Sequence, residues 1–87
     1  MKILEGFVLK NIAGENIVVP VGSNTVSFKA IVTLNDSGAF LWHSLENERT
    51  EAELVTALLG EYDIDEATAK ADVAEFTAKL REAGLLA

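Results

Sequence analysis

Among its 87 residues the chain has one imidazole, His43, and no cysteine. Without a thiol there is no Cys nucleophile, no disulfide framework and no thiolate metal site. A working histidine needs a nucleophile, an orienting carboxylate or further ligands beside it. His43 has Trp42 and Ser44 as neighbours, and adjacent helix positions point apart. A helix-surface histidine with no role is the favoured reading. The acids Glu61, Asp63, Asp65 and Glu66 raise the question of calcium. An EF-type loop needs acids at alternate positions and a central glycine within about twelve residues. No glycine lies between Glu61 and Gly84, so that reading fails, and helix capping accounts for Asp63 and Asp65. Gly14 and Gly22 belong to no Gly-x-Gly or Gly-Lys-Ser/Thr phosphate loop. No catalytic constellation is left. The chain reads as a non-enzyme with no cofactor and no metal.

Binding is the chemistry that remains, and charge limits the partner. Seven bases face fourteen acids, a net charge of −7. The first 35 residues carry three lysines and two acids; the rest carries four bases and twelve acids. Such a chain is repelled by nucleic acid and by anionic membranes. Glu5 interrupts the apolar region that a signal peptide would need. Apolar runs stay far below the ~20 residues that span a bilayer. The expectation is a cytoplasmic protein with no membrane or nucleic-acid partner.

The elements that would position a binding surface follow from patterning. Residues 3–12 are rich in β-formers, with Ile3, Phe7, Val8, Leu9 and Ile12. Ala13 to Asn16 is a turn, where Gly14 supplies the positive φ of a hairpin connection. Residues 16–21 form a second strand, and Pro20 marks its end or an outward position. Residues 25–33 alternate most clearly: Val26, Phe28, Ala30 and Val32 share one face, Thr25, Ser27, Lys29, Ile31 and Thr33 the other. Three helices follow, at about 36–46, 50–62 and 65–83. The first has N-cap candidates Asn35, Asp36 and Ser37 and an apolar stripe of Leu41 and Leu45, with Trp42 covering the core. Phe40 projects away from that stripe, either under a neighbouring helix or onto a contact surface. The second opens with a capping box, Thr50 to Glu53. The third carries Ala69, Val73, Phe76, Leu80 and Ala83 at helical spacing, and Gly84 stops it. The fold class is α+β: a three-stranded antiparallel meander followed by three helices, in one domain over residues 1–87.

A meander leaves its third strand at an edge. Unpaired main-chain groups there are a template for an added peptide strand. The long last helix would wall a groove beside it. The bland alternative is a blunted edge, or one used for a homodimer.

At this point the residues carry a resemblance. Ile31 to Trp42, then Thr50-Glu51-Ala52-Glu53-Leu54, Tyr62-Asp63, Asp72-Val73, Phe76, Leu80 and Gly84-Leu85-Leu86 resemble the PqqD family, also called the RiPP recognition element. RiPP denotes a ribosomally made, post-translationally modified peptide. The resemblance covers nearly the whole chain and implies a winged-helix-like arrangement of the same strands and helices. It implies a peptide chaperone that holds the leader of a precursor by strand addition. The precursor is then presented to a modifying enzyme, often a radical S-adenosylmethionine protein. Carried onto this chain, the strand contributes Thr25, Val26, Ser27, Phe28, Lys29, Ala30 and Ile31, and the helix wall contributes Lys70, Val73, Thr77 and Arg81. One helix flank bears Lys70, Thr77 and Arg81; the other bears Thr68, Asp72 and Lys79. The first is favoured because acidic leaders would suit Lys70, Arg81 and Lys29. Two alternatives stand beside it: a DNA-binding winged helix, disfavoured by the acidic helical half, and a dimeric regulatory or scaffold subunit.

Overall fold

The computed structural model describes residues 1–22 and 32–87. Strands β1 (Phe7–Ile12), β2 (Glu15–Pro20) and β3 (Val32–Leu34) are followed by helices α1 (Asp36–Ser44), α2 (Glu51–Glu61) and α3 (Glu66–Glu82). The sheet is antiparallel in the order β1-β2-β3, so among the described residues β3 is an edge. Architecture and element order are those expected from the sequence.

Two boundaries of the strand region differ from expectation. The first strand does not begin at residue 3. Gly6 takes a φ of 97°, which turns the chain before β1. Ile3 instead bridges to Leu86, with Ile3 N–H donating to Leu45 O at 2.9 Å and Leu4 N–H to Leu85 O at 2.8 Å. The apolar residues before Gly6 serve a closure between the two ends of the chain, which local β-propensity does not distinguish from a strand. The third strand was expected over 25–33; β3 is Val32–Leu34, and residues 23–31 lie outside the described residues.

The hairpin turn has two central residues, Ala13 (φ 54°) and Gly14 (φ 85°), both left-handed as a type I′ connection demands. Pro20 is the last residue of β2, where its missing N–H is least costly. One core lies between the sheet and the helices. Val18, Val32 and Leu34 come from the sheet; Leu41, Trp42 and Leu45 from α1; Leu54 and Leu58 from α2; Val73, Phe76 and Leu80 from α3. Trp42 is only 1% exposed. Phe40 packs edge-on against Tyr62, ring centroids 6.0 Å apart, so it lies against the end of α2.

Each helix starts on a side-chain cap. Asn35 Oδ1 accepts from Gly38 N–H at 2.8 Å. Thr50 and Glu53 form the reciprocal capping box, and Asp65 Oδ1 accepts from Thr68 N–H at 2.7 Å. The hydrogen bond from the Thr50 main chain holds the Glu53 carboxyl below its ordinary value, and the hydrogen bonds of Thr68, side chain then backbone, do the same for Asp65. α3 ends in a Schellman motif: Leu85 N–H donates to Leu80 O, Gly84 N–H donates to Arg81 O, and Gly84 is left-handed at φ 72°. That turn folds Leu85 back into the core beside Leu80.

Candidate functional site

The hairpin decides which main-chain groups of β3 are free. In a two-residue turn the flanking pair, Ile12 and Glu15, exchanges hydrogen bonds. Alternation then directs Glu15, Ile17 and Val19 toward β1. Val21 keeps the same sense, donating to Gly6 O at 2.8 Å. Asn16 and Val18 therefore face β3, where their partners are Leu34 and Val32. Thr33 lies opposite Ile17, so its N–H and C=O point out from the sheet edge. A contact of a different kind agrees: Thr33 O accepts from Lys79 Nζ of α3 at 2.7 Å.

Between this edge and the helices runs a groove of about 220 Å³. Leu34, Leu41 and Phe76 give it an apolar floor. Asn35, Ser37 and Gly38 close one side, and Asp72, Glu75 and Lys79 of α3 form the other wall. Gly38 sits tightly at this corner. A Cβ there would stand 3.1 Å from Asn35 Oδ1 and 3.2 Å from the Cβ of Leu34, so these neighbours would have to give by a few tenths of an ångström. The run Leu34-Asn35-x-x-Gly38 is thus a strand end, an N-cap and the small residue that lets them meet.

The helix wall differs from the one favoured by sequence. Lys79 and Asp72 are seven residues apart and share a face of α3, whereas Lys70 and Arg81 lie roughly half a turn away around the helix. Lys70 Nζ is 3.8 Å from Glu66, exposed. Arg81 Nη2 lies 4.0 Å from the sulfur of Met1. Neither lines the groove. Val73 is fully buried and Thr77 is 2% exposed, and the Thr77 hydroxyl donates to Ala74 O. Both side chains belong to the core. Their main-chain neighbours Asp72 and Phe76 line the groove instead, a placement that the shared apolar stripe does not distinguish. Thr25, Val26, Ser27, Phe28, Lys29, Ala30 and Ile31 lie outside the described residues. Lys79 and Asp72 belong to the second flank, which the sequence analysis named and did not favour; Glu75 was missed, and its signal was its position beside Asp72 on that flank.

Elsewhere the polar groups are accounted for locally. His43 is exposed, its Nδ1 3.0 Å from Glu46 Oε1. Among the described residues no group of His, Asp and Glu is arranged to hold a metal ion, and no helix is long and apolar enough to cross a membrane.

Comparison with known proteins bears on this groove. Residues 7–86 match the sequence profile of the family described as coenzyme PQQ synthesis protein D (PqqD). The solved structure of TbiB1 in complex with the TbiA(beta) leader peptide is similar in fold, with a TM-score of 0.74 and 27% sequence identity over 99% of this chain and 94% of that one. Comparison with curated proteins gives no match.

Proposed function

We propose, from the premise that the chain belongs to the PqqD family, that it is a non-catalytic module for the leader of a ribosomally made precursor peptide. The leader adds as a strand along the β3 edge and rests side chains in the groove against α3. The observation that carries this reading is Thr33, an edge residue whose N–H and C=O both face away from the sheet, set beside an apolar floor. The similarity to TbiB1, solved with a leader peptide, supports the same choice of ligand class. The module presents the precursor to a modifying enzyme such as a radical S-adenosylmethionine protein.

Main-chain bonds contribute ~0.5–1.5 kcal/mol each, and buried apolar contact ~25 cal/mol per Å². Ordering a flexible leader opposes both, so the expected dissociation constant is about micromolar or somewhat below. The test is calorimetric titration of the TbiA(beta) leader against three proteins. Wild type should bind. Thr33→Pro removes an outward N–H without touching the β2 ladder, so it should keep its circular dichroism and lose most of its affinity. Val32→Pro removes an inward donor and should damage the fold. A folded Thr33→Pro variant with unchanged affinity would place the guest on another surface. In a reconstituted reaction, modification of the precursor should slow when this chain is left out; an unchanged rate would remove the presenting role.

A further inference from the structure

The groove wall holds a side chain in the place a guest would take. Lys79 Nζ sits 2.7 Å from Thr33 O, the outward acceptor that a guest strand's N–H would use. The ammonium has an acid one turn back on its own helix, Glu75, in the acid-before-base order at i,i+4 that favours pairing. Yet among the described residues no ion pair forms at Lys79, whereas Lys70 pairs with Glu66 at the same spacing. Lys79 reaches for the sheet edge instead. Capping the carbonyl in this way blunts an exposed edge, as lysines on edge strands do.

We infer that Lys79 is a displaceable stand-in for the guest strand: it occupies the outward carbonyl of Thr33 in the free protein, and a leader that pairs through the end of β3 must evict it. The freed ammonium then moves back to Glu75, which shares the groove wall. This rests on the leader-binding reading and adds a sign to it. The basic residue in the groove opposes binding, because the bond it makes in the free protein has to be replaced. It also selects for a leader residue with a free main-chain N–H opposite Thr33, since a proline there would break the Lys79 bond and restore nothing.

The experiment titrates synthetic TbiA(beta) leader peptide, up to millimolar concentration, against wild type, Lys79→Met and Lys79→Arg, with the Thr33 carbonyl labelled with carbon-13. Lys79→Met keeps an unbranched stem and removes the donor. It should bind about two- to tenfold more tightly, the worth of one net hydrogen bond. In the free protein its Thr33 carbonyl resonance should differ from that of wild type. Lys79→Arg retains a cationic donor and should bind like wild type. Equal or weaker binding by Lys79→Met, or an unmoved carbonyl resonance, overturns the stand-in and leaves leader binding in place. Binding by none of the three proteins overturns the leader reading, and the stand-in falls with it.

Discussion

Ala13 occupies a left-handed conformation, φ 54°, at the first centre of the hairpin turn. For a residue with a Cβ that conformation costs roughly 1–2 kcal/mol. Asparagine tolerates it better, and Asn-Gly is the preferred pair for this turn. Ala13→Asn should therefore stabilise the protein by about 0.5–1 kcal/mol in urea denaturation; a loss of stability would mean that the turn is not type I′ in solution. Trp42 gives the opposite case, a side chain placed in the core shared by the sheet and the three helices. At 1% exposure it should emit at blue-shifted wavelengths and move red on unfolding. Trp42→Ala should cost ~3–5 kcal/mol, a large share of what a small domain has. A native spectrum already at the hydrated position would contradict that packing.

The helices show how local chemistry sets elements and leaves their rotation open. Caps at Asn35, Thr50 and Asp65 are satisfied within three residues, so sequence spacing places the helix starts to within a residue or two. Two carboxyls take part in these caps: Glu53, the box partner of Thr50, and the cap Asp65 itself. Glu53 and Asp65 are held below their ordinary values of 4.5 and 3.8. A carboxyl depressed in the folded state contributes stability above its unfolded pKa and loses it as pH falls through the folded one. The thermal midpoint should thus decline as pH drops from the ordinary values downward. Asp65→Asn keeps a cap acceptor without a titrating proton and should flatten part of that decline in melts followed by circular dichroism. An unchanged slope would assign the acid sensitivity to other groups. Rotation about the α3 axis is different. Lys70 with Arg81 and Asp72 with Lys79 are both polar flanks of one apolar stripe, and nothing within the helix ranks them.

At the scale of the molecule, charge and topology answer different questions. A winged helix that reads DNA needs a basic recognition helix. α3 carries Glu66, Asp72, Glu75 and Glu82 against Lys70, Lys79 and Arg81, in a chain of net −7. No salt-dependent complex with duplex DNA should appear at micromolar protein in fluorescence anisotropy at low salt. Such a complex would revive the DNA-binding alternative. Topology instead makes β3 an edge among the described residues and brings Lys79 of α3 beside it.

Sequence by itself determined the order of strands and helices, the capping box of Thr50 and Glu53, the stop at Gly84 and the absence of thiol chemistry. Each depends on residues a few positions apart, or on composition. Tertiary structure decided what required distant segments to meet. It drew Ile3 out of the first strand to bridge Leu86, 83 positions along the chain. It sank Val73 and Thr77 into the core and turned Asp72, Glu75 and Lys79 toward β3. Lys79 found Thr33 across 46 positions because the hairpin parity pointed that carbonyl outward and the packing of Phe76 and Leu80 fixed the roll of α3. Periodicity gives the apolar face of a helix; only its neighbours decide which polar flank meets the groove.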